Sequence, residues 1–435
     1  MPPAATVYAP PRPLMRHGYL VRSNKALAFL WTADLLSRLV GQGAPPGGGN
    51  RAAPDRPQRI LLANWAHIGD VLTSLPTLGA LRTAFPDAVI DVLTSRAGRI
   101  ALDSCRLHDH IHVVDHFVLN RAAQPRAAKV QTYLKDRRRF LRAAAAARYD
   151  VAIDLYPHFP PAAPLFRRAG IPVRGGFTSG GFGPLLTHPV RWQYQDKPIG
   201  QYGRDLIVAL WPALAPSLPS LPRYRPAPAA ADDAGPGGGD AGRPTLPYVV
   251  IHTGTGAPFK EWPEQHWNEL MALWREEAPL LVFCGKGAAE AMRARRIAGH
   301  AAQGRAMLFL DRSWADFTRL LAGASGLVCL ESSAAHLAAA FSLPTVAIYS
   351  GTNELRLWGP DNARARILSA PTGCAPCHRG CAAMACVRGV APADVLDAIR
   401  AVMPAAASAL APQAASALAP QAATALAPQA ATATG

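Results

Sequence analysis

The sequence has few acidic residues for its size, with 29 Asp and Glu against 45 Lys and Arg in 435 residues. The resulting formal charge of +16 at pH 7 indicates an anionic partner: a nucleic acid, a membrane surface or a phosphorylated substrate. Half of the residues are hydrophobic and 17% are charged, which excludes a disordered polymer and predicts a large buried core. The length suits two domains.

Long apolar runs are also lacking. No segment reaches 18 uncharged apolar residues, so no membrane-spanning helix is predicted. The cations are scattered arginines without interleaved aromatic residues, and we therefore expect no nucleic-acid partner.

Cysteine is sparse and unevenly placed. The seven cysteines are an odd number, which argues against a disulfide-stapled secreted domain and favours a reducing cytoplasm. Four of them, Cys374, Cys377, Cys381 and Cys386, are close in sequence. Two interpretations remain open here: a zinc site, with His378 as an alternative ligand, or thiols with a local disulfide.

Residues 1–58 form a basic segment in which we expect an amphipathic helix over Ala26–Val40, followed by a linker over 42–58. Its apolar side carries Phe29, Trp31, Leu35, Leu36, Leu39 and Val40, whereas Asp34, Ser37, Arg38 and Gly41 fall on the other side together with Leu27 and Leu30. The helix either packs on the body of the protein or lies at a membrane interface, because four cations precede it.

Two bodies of alternating strands and helices follow, at 59–225 and 248–403, separated by a Gly/Pro/Ala-rich linker at 226–247. A repeat of eight residues with one Pro per copy fills most of the tail at 404–435, to which we assign no structure. The continuous apolar runs of the strands are typical of buried parallel sheets. Two such α/β domains predict a cleft at the carboxyl ends of their strands.

The turn after the first strand contains Gly69 and Asp70. It lacks the G-x-G-x-x-G pattern, which argues against a dinucleotide-dependent oxidoreductase. Asp70 has two open interpretations: a cap of the following helix, or a carboxylate at the edge of the cleft.

Two turns of the second body carry polar groups suited to anions. Thr253, Gly254 and Thr255 follow a strand and precede Lys260, whereas Glu331, Ser332 and Ser333 end a strand and start a helix. Backbone amides at such turns bind phosphate, although the Gly-Lys-Ser/Thr of a Walker loop is missing. Together the turns predict a nucleotide-diphosphate donor on the second body and an acceptor oriented by the first.

Short matching segments run in order along most of the chain, from about Arg59 to Met403. They are Arg59-Ile-Leu-Leu, Ile68-Gly69-Asp70-Val71-Leu72, Leu75-Pro76, Leu81-Arg82, Phe85-Pro86-Asp87-Ala88, His252 through Lys260-Glu261-Trp262-Pro263, Glu331-Ser332-Ser333, His336-Leu337-Ala338-Ala339-Ala340, Leu343-Pro344-Thr345-Val346-Ala347 and Trp358-Gly359-Pro360. In these segments the sequence resembles the ADP-heptose:lipopolysaccharide heptosyltransferases of glycosyltransferase family 9. The resemblance implies a GT-B fold, in which two Rossmann-like domains face each other across a cleft, and inverting sugar transfer without a metal or cofactor.

The resemblance also implies roles for individual residues. Asp70 matches the base and Lys260 the phosphate-contacting lysine, while Glu290 matches an acidic ribose contact. The remaining donor-binding candidates are Thr253, Gly254, Thr255, Glu331, Ser332, Ser333, Ala334 and His336. The family usually has Asp in place of Glu331 and Gly in place of Ser333, so the identity of the donor sugar stays open. Asp-x-Asp, the triplet of metal-dependent glycosyltransferases, does not occur in the chain.

The expected partners are ADP-heptose and an anionic glycolipid acceptor of the lipopolysaccharide inner core. The expected location is cytoplasmic, peripheral on the inner face of the inner membrane. The basic stretch Lys135–Arg139 with Arg142 is either a solvated helix face or a patch for that acceptor. Two alternative functions are a transferase of the same fold with another donor or acceptor, and a non-catalytic, membrane-associated assembly module.

Overall fold

Two six-stranded sheets form the framework of the computed structural model, which describes residues 15–41, 52–221, 244 and 247–403, except 104, 276, 277 and 378–380. The predicted linker at 226–247 lies outside the described residues apart from 244 and 247, and so does the whole tail at 404–435. None of the helices within the described ranges is long and apolar enough to cross a bilayer.

The chain enters through a small hairpin and one long helix. The elements are β1 (Met15–Arg16), β2 (Tyr19–Leu20) and α1 (Asn24–Gly41). The two strands pair antiparallel, and α1 packs against the first large sheet's layer near Gly183–Leu185.

The first large sheet contains six parallel strands in the order β5-β4-β3-β6-β7-β8. These strands are β3 (Arg59–Ala63), β4 (Val89–Thr94), β5 (Ile111–Val113), β6 (Val151–Asp154), β7 (Val173–Phe177) and β8 (His188–Val190). Its helices are α2 (Ile68–Ala84), α3 (Arg96–Leu102), α4 (Arg126–Ala147), α5 (Ala163–Arg168) and α6 (Gly203–Leu210). The central strands β3 and β6 are almost wholly buried, as their continuous apolar sequences predict.

The second large sheet repeats this arrangement in the order β11-β10-β9-β12-β13-β14, again with every pair parallel. Its strands are β9 (Tyr248–His252), β10 (Leu280–Gly285), β11 (Ala306–Leu310), β12 (Gly326–Leu330), β13 (Thr345–Ile348) and β14 (Ala365–Leu368). Its helices are α7 (Glu264–Trp274), α8 (Ala288–Ala298), α9 (Trp314–Ala322), α10 (Ser333–Ala340), α11 (Leu355–Trp358), α12 (Ala385–Arg388) and α13 (Pro392–Val402). Trp262, Trp267 and Trp274 fill the core beside this sheet.

Both sheets have the strand order of a Rossmann fold, in which the chain starts at the centre and builds outward in each direction. The prediction of an α/β protein with parallel sheets is therefore confirmed. The apolar spacing of the sequence predicts a helix from Val71 and another over His266–Glu277, whereas α2 starts at Ile68 and α7 spans Glu264–Trp274. Residues 276 and 277 lie outside the described ranges. Each helix begins earlier because the residue before it, His67 or Pro263, is its N-cap.

Side chains and backbone of the two halves meet directly. His158 stacks on Trp358 with ring centroids 5.7 Å apart, and Gln201 donates a hydrogen bond to Asp361 at 3.0 Å. Helix α2 of the first half packs against α10 of the second. These contacts hold the carboxyl ends of both sheets around one space.

Candidate active site

A cavity of about 1180 Å³ lies between the two halves and is lined by both of them. In each sheet the strand order reverses at the centre, between β3 and β6 and between β9 and β12. Ligands of open α/β sheets bind beyond the carboxyl ends of strands at such a reversal point. The segments that leave these four strands carry Asp70, Tyr156, Thr255 and Glu331, all of which line the cavity.

Asp70 stands in the first turn of α2 and points its carboxylate at both the helix start and the cavity. One carboxylate oxygen accepts the backbone N–H of His67 at 3.0 Å and lies 3.4 Å from Nδ1 of the same residue. Burial alone would raise the pKa of Asp70, but the hydrogen bonds and charge of His67, with a smaller effect of His158, lower it below its ordinary value. Asp70 thus completes the cap of α2 by accepting the N–H of the N-cap residue His67, and it is also an ionised carboxylate on the cavity wall.

Lys260 and Glu331 form an ion pair on the opposite wall. The Glu331 carboxylate also accepts the backbone N–H of Ser350 at 3.2 Å and the side-chain amide of Asn353 at 3.2 Å. The hydroxyl of Thr255 donates to the backbone carbonyl of Glu331 at 2.9 Å, which ties the two predicted turns together. A fixed cation therefore stands where these turns meet.

The turn after β9 brings Gly254 close to the carboxylate of Glu290. A Cβ built on Gly254 would lie 2.6 Å from a carboxylate oxygen of Glu290, which lines the cavity from the first turn of α8. That carboxylate accepts the backbone N–H of Lys286 at 3.0 Å. Thr253 is buried and does not line the cavity, although its hydroxyl has no hydrogen-bond partner within the described parts of the chain.

Helix α10 directs its amino end at the cavity. Ser332 is its N-cap, yet the Ser332 hydroxyl makes no capping bond and is buried without a partner among the described residues. Ser333 and His336 line the cavity, whereas Ala334 is buried behind them. Burial lowers the pKa of His336 against the opposing charges of Asp70 and Glu331, which favours the neutral imidazole.

An aromatic recess at the ends of β10 and β11 did not emerge from the sequence. Phe317 lies 5.5 Å from the His252 ring and 5.8 Å from the Trp314 ring, measured between centroids. The guanidinium of Arg312 lies over Phe309 at 5.5 Å. All five residues line the cavity. The sequence had singled out only His252 among them, because Phe309, Trp314 and Phe317 have the spacing of ordinary core positions.

The half of the cavity on the side of the first sheet is lined by aromatic and cationic side chains that sequence reasoning also missed. They include Tyr156, His158, Trp192, Tyr194, Arg22 and Arg121. Arg121 reaches across to the second half, with its guanidinium 3.5 Å from the carbonyl of Gly256. Burial raises the pKa of Tyr156 far above its ordinary value, so this phenol stays neutral.

Two other sequence features lie away from the cavity. Lys135, Arg138, Arg139 and Arg142 are exposed on α4, and none of them lines the cavity, which fits a solvated helix face. None of the seven cysteines forms a disulfide, and no group of three or more metal-binding side chains occurs in the part of the chain that the structure describes. His378, the alternative zinc ligand, lies outside that part.

Sequence comparison relates the chain to known proteins. Residues 137–387 match glycosyltransferase family 9 (heptosyltransferase). This chain belongs to glycosyltransferase family 9. Lipopolysaccharide heptosyltransferase 1 of Pseudomonas aeruginosa is 34% identical over 137 residues, which cover 31% of this chain and 37% of that relative. The aligned segment is thus little more than a third of the length of this curated relative.

Structural comparison supports the fold. Escherichia coli ADP-heptose lipopolysaccharide heptosyltransferase II superposes with a TM-score of 0.61 at 20% identity, covering 80% of this chain and 99% of that one. Escherichia coli heptosyltransferase WaaC with ADP gives a TM-score of 0.56 at 23% identity, covering 72% and 93%. The prediction of a GT-B fold with two facing Rossmann-like domains is confirmed, as is that of a family 9 glycosyltransferase.

Proposed function

We propose that this family 9 protein is an inverting transferase that moves heptose from ADP-heptose to an anionic inner-core lipopolysaccharide acceptor. The observation that carries the proposal is the placement of Asp70 on one wall of the cavity and the Lys260–Glu331 pair on the other. An inverting transfer needs a base on the acceptor side and stabilisation of a leaving diphosphate on the donor side. The relatives named above are heptosyltransferases, one of them an ADP-heptose transferase and another solved with ADP, which supports this donor.

The second half of the molecule offers a complementary group to each part of a nucleotide-diphosphate sugar. The aromatic recess of Phe309, Trp314 and Phe317 suits a purine base. Glu290 follows β10, and an acid near the end of this second strand commonly binds ribose hydroxyls in Rossmann-type sites. The Lys260 ammonium and the amino end of α10, with the unpartnered hydroxyl of Ser332, suit the diphosphate.

The first half supplies the acceptor chemistry in this proposal. Asp70 takes the proton of the acceptor hydroxyl while that oxygen attacks the anomeric carbon on the face opposite the diphosphate. The new carbon–oxygen bond forms as the bond to the diphosphate breaks, and the electron pair leaves with ADP. Arg22 and Arg121 on the cavity wall suit the carboxylates and phosphates of the acceptor.

This scheme uses no metal, because the Lys260 ammonium and the α10 backbone amides stabilise the negative charge that grows on the leaving group.

A different donor sugar is the second candidate, favoured by Glu331 where the family usually has Asp. A donor panel of ADP-heptose and other nucleotide sugars, with lipopolysaccharide from a truncated-core strain and with or without EDTA, separates these functions. We expect transfer from ADP-heptose that EDTA leaves intact; transfer only from another donor, or only with added Mg²⁺ or Mn²⁺, contradicts the proposal.

A further inference from the structure

Helix α1 docks on the protein through the side that its sequence makes less apolar. Leu30 is 1% exposed and Ser37 is buried, and a Cβ on Gly181 would lie 2.9 Å from the Leu30 side chain. Asp34, the only acid in residues 15–41, accepts a hydrogen bond from the Tyr19 hydroxyl at 2.8 Å. The docked side therefore carries the buried Leu30 and the half-buried Leu27 together with small and polar residues.

The opposite side of α1 leaves large apolar side chains in solvent. We define the outer face of α1 as Phe29, Trp31, Leu35, Leu36 and Leu39, which are 45–64% exposed. At about 100° per residue these positions share one broad arc of the helix, away from Leu30. Single exposed apolar residues are common on proteins, but a cluster on one helix face marks an interaction surface.

The charge around this face selects the kind of partner. Arg22 and Lys25 are exposed before and at the start of the helix, and Arg38 is exposed near its end. The one acid of the segment is engaged with Tyr19 on the docked side. An apolar helix face flanked by cations complements an anionic phospholipid bilayer, which has negatively charged headgroups above an apolar interior.

The outer face also has a defined position relative to the cavity. Leu20, Val21, Arg22 and Ala26 line the cavity, so the segment that carries the face also forms part of the cavity wall. Phe29 contacts Phe159, another wall residue, with ring centroids 5.3 Å apart. A surface bound by α1 therefore lies beside the acceptor half of the cavity.

We propose that the outer face of α1 binds the surface of an anionic phospholipid bilayer and holds the acceptor half of the cavity against it. The inference rests on the proposed function in one respect, namely that the acceptor is a lipid-linked sugar drawn from that surface. The binding itself needs neither donor nor acceptor.

Vesicle flotation of the full chain tests the proposal, using phosphatidylcholine vesicles with and without about one third phosphatidylglycerol. We expect binding to the anionic vesicles that falls as salt rises, and about tenfold or greater loss of binding in Leu35→Ser/Leu39→Ser. The matched control, Leu273→Ser/Met292→Ser, removes two apolar side chains that are 47% and 54% exposed on α7 and α8, and should bind like the parent. Among the nine tryptophans, all within the described residues, Trp31 alone is exposed, so its emission should shift to the blue on binding.

Three outcomes overturn the proposal: no binding to anionic vesicles, equal binding to neutral ones, or equal loss in the control double variant. A fourth is a change of oligomeric state in Leu35→Ser/Leu39→Ser without any vesicle binding by the parent, which assigns the face to a second copy of the chain. Because the assay contains no sugar donor, failure of the ADP-heptose panel and failure of vesicle binding are distinguished.

Discussion

At the scale of single residues, the Lys260–Glu331 ion pair sets the charge of the proposed donor site. Both side chains are largely buried, and the Glu331 carboxylate has further donors in Ser350 and Asn353. In the proposed reaction Lys260 has two separable roles: it offsets Glu331, and it offers a cation to the diphosphate. Removal of Lys260 alone would disturb both.

Lys260→Ala should weaken ADP binding by about tenfold or more, as expected for loss of a charge-assisted hydrogen bond worth about 1.5–3 kcal/mol. The loss should persist in Lys260→Ala/Glu331→Gln, in which no uncompensated carboxylate remains. Calorimetric titration of the parent, both single variants and the double variant measures this. If the double variant regains parental affinity, Lys260 serves only to neutralise Glu331.

The sequence predicted the polar residues of the candidate site better than the apolar ones. Asp70, Lys260 and Glu331 were found because each follows a recognisable apolar strand, and the ends of parallel strands share one edge. Phe309 and Phe317 were missed because their spacing on β11 and α9 is that of ordinary core residues. Only the fold shows that these rings face a cavity rather than the interior.

At the scale of secondary structure, α1 shows how hydrophobic pattern can indicate the wrong docked side. The pattern placed Leu30 on the polar side, but this leucine is the buried contact, whereas Trp31 and Leu39 are exposed. The docked side is determined by the close approach of α1 to Gly181, because this glycine has no side chain and leaves room for Leu30. The short edge strands β5 and β8 could not be predicted for a different reason: each has three residues, too few to show a periodic hydrophobic pattern.

Leu30→Ala should loosen the docking of α1 by about 2–5 kcal/mol, because it leaves a cavity against Gly181. Hydrogen exchange followed by mass spectrometry should then show faster exchange over residues 24–41 and unchanged exchange in β3 and β9. Leu36→Ala is the control, since Leu36 is 56% exposed and its loss should change exchange little. Equal acceleration in both variants would contradict this account of the docked side.

At the scale of the whole molecule, the proposed reaction depends on groups from two halves that pack around one cavity. Asp70 belongs to the first sheet's layer, and Lys260 and Glu331 belong to the second's. His336 of α10 in the second half lies close to the first, since a Cβ on Gly69 would lie 3.4 Å from its ring. Because the proposed base and the proposed donor site lie in different halves, we predict that loss of the base leaves donor binding unchanged.

The most direct test of the central claim compares Asp70→Asn with the parent protein in transfer and in ADP binding. Asparagine keeps an oxygen for the His67 N–H and so keeps the helix cap, but it cannot take a proton from the acceptor. We expect transfer from ADP-heptose to fall by about 100-fold or more, with ADP affinity and thermal stability nearly unchanged. Transfer within a few-fold of the parent would show that Asp70 is a helix cap only and would contradict the account.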